Sequence, residues 1–211
     1  MTKTSLIIPA WNAELTIEDC ILSVIKANLS PNEIIVVDDV STDNTVNIIE
    51  SLAKIYSNIK LLKLVKNSGP AAARDYGAKA SSGDVIFFTD SDTLILENTF
   101  VNCLNTIKEY KADAVSGIYH PEPINKGMAQ LYKALFFNYQ FIRYNKPFIY
   151  ETFNGQIAAI KKEVYINTGG YNKEILWGMD NENEEFGRRI IKEHLLLFEI
   201  TCGDLMTGRR F

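Results

Sequence analysis

Five short runs of apolar residues, separated by segments with helical periodicity, constrain the fold of this chain more than any other feature. The runs are Ser5 to Pro9, Glu33 to Asp38, Ile59 to Leu64, Val85 to Thr89 and Ala114 to Ile118. Strands that are apolar on both faces are typical of a parallel sheet that helices cover on both sides. The sequence therefore predicts an α/β fold with a mostly parallel central sheet flanked by helices.

Three helices are predicted between the first four strands. The first rests on apolar residues at helical spacing, which are Ile17, Ile21, Val24 and Ile25. The second follows possible N-cap oxygens on Ser41, Thr42 and Asp43. The third begins at Gly69-Pro70, since proline suits the first helical turn.

The pattern changes after about residue 120. An aromatic-rich helix is predicted from Lys126 to Asn145, a strand from Phe153 to Ile160, a turn at Gly169-Gly170 and an acidic helix from Asp180 to Glu193. At 211 residues the chain fits one domain. We divide it into residues 1–118, the larger half, and residues 119–211, a smaller subregion.

Composition excludes several classes of protein. The net charge is -4 and no stripe of Arg or Lys is present, so a nucleic-acid partner is not expected. The three cysteines are far apart and form neither a disulfide framework nor a zinc pattern, which suits a reducing compartment. We find no signal peptide and no run of 18 apolar residues, so a cytoplasmic location is expected by default.

Polar or aromatic groups follow three of the predicted strands. Trp11 lies just after the first strand, Asp38-Asp39 ends the second, and Asp90-Ser91-Asp92 follows the fourth. In parallel α/β sheets the ligand lies beyond the carboxyl ends of the strands. We therefore expect these three segments to converge on one ligand.

The pair Asp90 and Asp92 is a candidate metal site. Residues i and i+2 of an extended segment point the same way, and two adjacent carboxylates favour a neutralising cation. Mn²⁺ or Mg²⁺ suits such oxygens and commonly binds one or two carboxylates together with substrate phosphates. The alternative is a solvated acidic turn or a helix N-cap.

Other residues of the first half are candidates for nucleotide binding. Trp11 has an aromatic face for a base, and Asp39 has oxygens for a base edge or a ribose. Arg74 follows the small-residue loop that starts at Asn67, from which it could reach base or phosphate. The alternatives are a core tryptophan, a turn-forming aspartate, and an arginine that pairs with Asp84 or another acid.

Residues 177–185 carry a tryptophan and a dense group of acids. Trp177 could stack beneath an acceptor sugar. Asp180, Glu182 and Glu184 are candidates for a general base that takes the proton from an attacking hydroxyl. Some of these acids are expected only to favour the helix N-terminus.

Taken in order, these segments resemble the family 2 glycosyltransferases, whose fold is called GT-A. The matching stretches are residues 5–12, 33–43, 67–74 and 83–92, and, less tightly, residues 153–160, 169–171 and 177–189, which resemble the acceptor region of galactosyl- and N-acetylgalactosaminyltransferases. The resemblance implies a metal-dependent, inverting transferase with a nucleotide-diphosphate sugar donor. It implies that Pro9, Trp11, Asp39, Asn67, Arg74 and Asp90 bind the nucleotide, that Asp92 with Asp90 binds the metal, and that Trp177 and Gly155 bind the acceptor.

The chain departs from the family pattern at three places. Val40 replaces a glycine, and because positive φ would cost a β-branched residue at least about 1–2 kcal/mol, we expect another turn conformation there. Asn183 stands where the family usually has its aspartate base, and an amide cannot take the proton. The sequence stops at Phe211, where relatives continue, so a continuation with a lid or membrane anchor is a further expectation.

Three functional hypotheses follow. The first is a transferase that uses a UDP-sugar, with galactose or N-acetylgalactosamine favoured by the resemblance, and a glycan or lipid-linked acceptor. The aromatic helix would allow peripheral association with the inner face of the membrane, although a core position is the commoner role for such a stripe. The second is a degenerate transferase that binds nucleotide sugar without turnover. The third is a phosphorylation receiver, which is disfavoured because this chain has about a hundred residues more than such a domain needs. A sugar nucleotidyltransferase is a further possibility among enzymes, but this sequence has no Gly-rich, Lys-bearing signature near its N-terminus.

Overall fold

A computed structural model describes residues 2–120, 127–141, 147–173 and 181–206. The first half alternates strands and helices: β1 Thr4–Ala10, α1 Ile17–Lys26, β2 Glu33–Asp38, α2 Thr45–Ile55, β3 Ile59–Lys63, α3 Pro70–Ala80 and β4 Val85–Thr89. The rest comprises β5 Thr93–Ile95, α4 Thr99–Glu109, β6 Ala114–Tyr119, α5 Met128–Phe141, β7 Phe148–Ile149, β8 Ile157–Lys161, α6 Lys162–Asn167, α7 Asn181–Ile190 and β9 Leu196–Met206. The five strands and three helices predicted for the first half are confirmed.

The described strands form one sheet in the order β3-β2-β1-β4-β8-β6-β9-β5, with β7 paired to β9. The first four strands are mutually parallel, as predicted. β8 is antiparallel to both β4 and β6, so the second half of the sheet is mixed. An antiparallel β8 starts at the edge where β4 ends, because Thr89 lies opposite Ile157. The loop that precedes β8 is therefore brought to the carboxyl edge of β1, β2 and β4.

Two apolar layers cover the two faces of the sheet. Leu6 and Ile8 of β1 belong to the layer that contains α1 and α4, while Ile7 belongs to the layer that contains α3. This alternation explains why β1 is apolar throughout, since both of its faces are buried. α3 lies very close to the sheet, because a Cβ on Gly77 would be 2.6 Å from Ile7 Cγ2. The beginning of α3 is thereby held against the ends of β1 and β2.

The aromatic helix α5 lies within the predicted Lys126 to Asn145 and exposes much of its apolar surface. Leu131, Tyr132, Leu135 and Phe136 are between 42% and 69% exposed, whereas Ala134 is buried. A core position, the commoner role for such a stripe, is therefore wrong for these side chains. Within the described ranges, no helix is long and apolar enough to cross a membrane. Association of α5 with a membrane surface stays a prediction.

Five elements that the sequence analysis did not predict are α4, β5, β7, α6 and β9. The predicted strand from Phe153 is also too long at its start, since β8 begins at Ile157. Asn154 Oδ1 accepts hydrogen bonds from Gln156, and Ile157 donates to the Asn154 carbonyl, which makes a turn there. The predicted acidic helix is confirmed as α7 over Asn181–Ile190.

A buried carboxylate joins three segments at the opposite edge of the sheet. Glu33 is 4% exposed and accepts hydrogen bonds from the Ser5 hydroxyl at 2.6 Å, the Lys60 ammonium at 2.7 Å and the Ser82 hydroxyl at 2.7 Å. Burial by itself would raise the pKa of Glu33, but these bonds lower it from 4.5 to about 2. The ionised form therefore stabilises the fold above pH 4.5, and this contribution is lost as the pH falls toward 2.

We expect Glu33→Gln to lower the free energy of unfolding at pH 7 by about 1–3 kcal/mol, because the amide cannot accept the same set of bonds. Between pH 4.5 and pH 2 the difference from the wild type should shrink, since the wild type loses its own contribution there. Urea unfolding at pH 7 and pH 3 measures both values, and the exposed Glu109→Gln is the matched control. An equal difference at both pH values would contradict this explanation.

Candidate active site

The loops that follow β1 and β2 are joined by hydrogen bonds through a polar segment. Asn12 donates its backbone N–H to the Ser41 hydroxyl at 3.0 Å, and its side-chain oxygen accepts from the Thr42 N–H at 2.8 Å. Asp43 accepts from the Glu14 N–H at 3.1 Å. These residues were expected to cap α2, but α2 has Asn44 at its N-cap and no side-chain cap bond. Asp43 Oδ1 does accept the N–H of Thr45, the first residue of α2, at 3.0 Å, whereas Ser41 and Thr42 bond to Asn12 and fix the backbone beside Trp11. The expectation is therefore right for Asp43 and wrong for Ser41 and Thr42.

The turn after β2 has a backbone conformation that the sequence argued against. Val40 has φ 64°, in the left-handed region, and its side chain is 38% exposed. The expectation of another turn conformation is therefore wrong. The flanking bonds explain the outcome: Asp39 donates its N–H to the Ala10 carbonyl at 2.8 Å, and Ser41 donates to the Asp38 carboxylate. The neighbours impose the turn, and Val40 bears the strain.

Val40→Gly should raise the free energy of unfolding by about 1 kcal/mol, because the relief of β-branched strain exceeds the extra entropy of glycine in the unfolded chain. Chemical denaturation measures the change. Val65→Gly is the control, since Val65 is fully exposed in a loop and is not at positive φ, and this change should not stabilise the protein. A Val40→Gly protein no more stable than the wild type would contradict the strain argument.

Asp39 organises the loop that leads into α3. Its two carboxylate oxygens accept hydrogen bonds from the Ser68 N–H at 2.7 Å and the Gly69 N–H at 2.8 Å. Asn67 donates its side-chain amide to the Asp39 carbonyl at 3.1 Å. The bonds hold a carboxylate at the N-terminus of α3, where the helix dipole favours negative charge. Asp39 and Asn67 thus form one unit at the rim of the cleft.

Arg74 is a buried residue in the wall of the cleft and binds Asp90. It is 3% exposed, and its Nη2 donates to Asp90 Oδ1 at 2.6 Å. Of the two alternatives for this residue, pairing with an acid is what the geometry shows, and the acid is Asp90 rather than Asp84. Burial alone would lower the pKa of Arg74, but Asp90, Tyr171 and Glu182 outweigh it and raise that pKa. The guanidinium is therefore a permanent charge inside the protein.

The Asp90-Ser91-Asp92 segment is a turn rather than an extended continuation of β4. Thr93 donates its N–H to the Asp90 carbonyl at 3.2 Å, which closes the turn, and β5 begins at Thr93. The expectation of an extended segment is wrong, but both carboxylates still line the same cleft. Within residues 2–120, 127–141, 147–173 and 181–206 there is no cluster of three or more potential metal ligands. Two carboxylates suit a divalent cation that takes its other ligands from phosphates and water.

The acidic candidates of the second half differ in position. Glu182, near the start of α7, is 5% exposed and lines the cleft. Glu184 is not among the lining residues, and its half-exposed side chain is 3.6 Å from Arg188. Asp180 and Trp177 lie outside the described residues. Glu182 is therefore the described carboxylate that meets the cleft on this side.

Asn183 lines the cleft with its amide held in one orientation. Its Oδ1 accepts hydrogen bonds from the Gly155 N–H and from the Tyr171 hydroxyl, both at 3.3 Å. Because a backbone N–H can only donate, the oxygen must face Gly155, and the NH₂ group faces away from it. Burial raises the pKa of Tyr171, so its hydroxyl stays protonated and keeps donating. Asn183 thus has a fixed side chain that offers donors but no base.

Gly155 supports this arrangement from behind. A Cβ at this position would be 2.7 Å from the Tyr171 hydroxyl and 3.0 Å from the Arg74 guanidinium carbon, so only glycine fits. Gly155 is not among the residues that line the cleft, whereas the neighbouring Gln156 is. Its expected contact with an acceptor stays a prediction.

The predicted donor-side residues meet in one cleft of about 450 Å³. It lies at the carboxyl ends of β1, β2 and β4, where a ligand is expected in an α/β sheet. Eight of the predicted site residues line it: Pro9, Trp11, Asp39, Asn67, Arg74, Asp90, Asp92 and Glu182. Sequence reasoning did not select Asn12, Leu15, Thr16 and Gln156, which also line it. Leu15 is 72% exposed at the rim, and an isolated apolar residue in a loop gives no signal of such a position.

The chain matches known proteins along most of its length. The family model "Glycosyl transferase family 2" matches residues 5–169. A poly(ribitol-phosphate) beta-glucosyltransferase of Bacillus spizizenii is 35% identical over 118 residues, which cover 54% of this chain and 19% of that protein. The chain therefore spans much less than the full length of this relative.

Two solved structures share the fold. The mannosyltransferase PcManGT of Pyrobaculum calidifontis, in complex with GDP-Man and Mn²⁺, has a TM-score of 0.76 at 20% identity, covering 99% of this chain and 58% of that one. GalNAc-T7 with UDP, GalNAc and Mn²⁺ has a TM-score of 0.77 at 18% identity, covering 99% and 44%. At such identities the likeness establishes the fold, which is GT-A.

Proposed function

Since the chain belongs to glycosyl transferase family 2, whose family model matches residues 5–169, we propose that it transfers a sugar from a nucleotide-diphosphate donor to an acceptor hydroxyl with inversion. The observation that carries this proposal is the one cleft that Trp11, Asp39, Asp92 and Glu182 line together. A cleft of this kind can hold the donor and the acceptor hydroxyl next to each other, with a proton acceptor beside that hydroxyl.

The donor half of the cleft suits a nucleoside diphosphate. Trp11 is 40% exposed at the rim and offers an aromatic face for the base, while the Asp39–Asn67 unit lies beside it with polar groups. The similar GalNAc-T7 binds UDP, which favours a UDP-sugar over a GDP-sugar only weakly, because PcManGT binds GDP-Man. We propose a UDP-sugar as the first donor to test.

Asp90 and Asp92 are the residues that we propose hold a divalent cation. They are hard oxygen ligands at the cleft, and both solved structures named above contain Mn²⁺. When bound, Mn²⁺ or Mg²⁺ stabilises the negative charge that develops on the departing diphosphate. Asp90 also binds Arg74, so Asp92 is the carboxylate whose loss tests metal binding most directly.

Asp92→Asn should weaken the binding of UDP in the presence of Mn²⁺ by about 10-fold or more, because the amide removes one of the two charges that hold the cation. Isothermal titration calorimetry with UDP, with and without Mn²⁺, measures the effect. The exposed Asp19→Asn on α1 is the matched control. If Asp92→Asn and the wild type bind UDP–Mn²⁺ equally well, the metal site lies elsewhere.

On the acceptor side we propose Glu182 as the proton acceptor. Its Oε2 is buried and has no hydrogen-bond partner, so a lone pair is available for an incoming hydroxyl. The hydroxyl oxygen attacks the anomeric carbon, its proton moves to the carboxylate, and the nucleoside diphosphate leaves from the opposite face. Asp180 stays a second candidate outside the described residues. The acceptor is proposed to be a glycan or a lipid-linked glycan, in line with the polymer named for the Bacillus relative.

A second function is favoured by one observation, the amide at position 183. By the resemblance, Asn183 stands where the family usually has its aspartate base, and its fixed NH₂ group cannot take a proton. A chain with this residue and no substitute base would bind nucleotide sugar without turning it over. Glu182 and Asn183 therefore decide between the enzyme and the binding protein.

If Asn183 limits turnover, Asn183→Asp should raise the rate of UDP release from a UDP-sugar by about 100-fold, the usual contribution of a general base. Gly155 and Tyr171 can keep donating to the new carboxylate, so the fold should persist. A coupled assay for UDP, with water as the ever-present acceptor, measures the rate, and Asn47→Asp on the exposed face of α2 is the control. A wild type that turns over rapidly and gains nothing from the change would exclude the binding-protein reading.

A further inference from the structure

Arg74 is a buried guanidinium whose donors are mostly unused. Nη2 binds Asp90 Oδ1, whereas Nε and Nη1 are buried and have no hydrogen-bond partner. Native proteins rarely leave such groups unpaired, and each exception calls for a physical reason. The side chain cannot turn to water, because Gly155 and the ring of Tyr171 enclose it.

Glu182 lies next to the same guanidinium and also has a buried polar atom without a hydrogen-bond partner. Its Oε1 is 3.8 Å from Arg74 Nη1, which is an ion-pair distance but too long for a hydrogen bond, and its Oε2 has no partner. A shift of less than about 1 Å would bring the two groups into hydrogen-bond range. The pair is therefore close to a direct bond that it does not make while Arg74 binds Asp90.

Arg74 thus lies between a carboxylate at the end of β4 and a carboxylate on α7. It is the only Lys or Arg that lines the cleft in the described part of the chain. A cation that binds Asp90 weakens the attraction between Asp90 and Arg74, since both positive charges then compete for one carboxylate. Glu182 is the other acid within reach of the guanidinium.

We propose that Arg74 is a positioning residue that exchanges partners when the cleft is loaded. A divalent cation at Asp90 and Asp92 releases Arg74 toward Glu182, and Arg74 then holds Glu182 in place for the proton transfer. The inference rests on the proposed function and adds an order to it, in which metal and donor bind before the proton acceptor is fixed. The planar fork of arginine suits this role, because its separate nitrogens can face two carboxylates at fixed angles from one place, whereas lysine has a single nitrogen.

The test measures the affinity for Mn²⁺ with UDP in the wild type, Glu182→Gln, Arg74→Lys and the double variant. In the arginine background Glu182→Gln should weaken binding about fivefold or more, because Arg74 then stays on Asp90 and competes with the cation. In the lysine background, which keeps the charge but not the fork, the same change should alter affinity by less than about twofold. Glu163→Gln and Arg188→Lys, both at exposed positions, are the matched controls.

If Glu182→Gln acted only by removing a negative charge, it would weaken the affinity for Mn²⁺ by the same factor in the arginine and lysine backgrounds. That result would contradict the proposed exchange of partners. If the wild type binds no Mn²⁺ with UDP, the proposed metal site and the exchange both fail. Should Arg74→Lys not fold, NMR of the arginine side-chain N–H groups replaces the cycle. The Arg74 signals should shift when Mg²⁺ and UDP are added to the wild type but not when they are added to Glu182→Gln. An equal shift in both proteins would contradict the proposed exchange.

Discussion

The ion pair between Arg74 and Asp90 is the interaction on which the site depends most. It joins α3 to the end of β4 inside the protein, at 2.6 Å, and Arg74 is 3% exposed. A buried charge is costly unless it is paired, so the bond to Asp90 stabilises the guanidinium in this position. Tyr171 and Gly155 pack around the same group, and through them Asn183 and α7 are positioned. The donor side and the acceptor side of the cleft are therefore built around one charge.

Because of this dependence, the Asp90-Ser91-Asp92 segment has two proposed roles that compete. As a structural partner, Asp90 neutralises Arg74, and as a proposed metal ligand it lies beside Asp92 at the cleft. A carboxylate cannot serve a guanidinium and a cation fully at the same time, because each draws on the same negative charge. The unpaired nitrogens of Arg74 and the unpaired oxygen of Glu182 are the groups that the proposed exchange of partners would join.

The sequence was sufficient for the parts that local patterns determine. The apolar runs fixed the strands from β1 to β4, and the rule for strand ends was enough to bring Trp11, Asp39 and Asp92 to one cleft. It was insufficient wherever a distant partner decides the outcome. Val40 takes φ 64° because neighbouring loops hold the turn, and Ser41 bonds across to Asn12 instead of capping α2. Arg74 likewise pairs with Asp90, sixteen residues later in the sequence, through tertiary packing that no local pattern predicts.

Asn183 keeps the hydrogen bonds that shape this site but cannot act as a base in it. The bonds that orient its side chain, from Gly155 and Tyr171, need only an oxygen, and an amide supplies one as well as a carboxylate does. The substitution therefore keeps the shape of the cleft while removing a charge and a proton acceptor from it. With one negative charge fewer at position 183, Glu182 faces Arg74 without a competing acid at the adjacent residue. Among the described residues of α7, Glu182 is therefore the acid that forms an ion pair with Arg74, and Asn183 adds no second charge beside it.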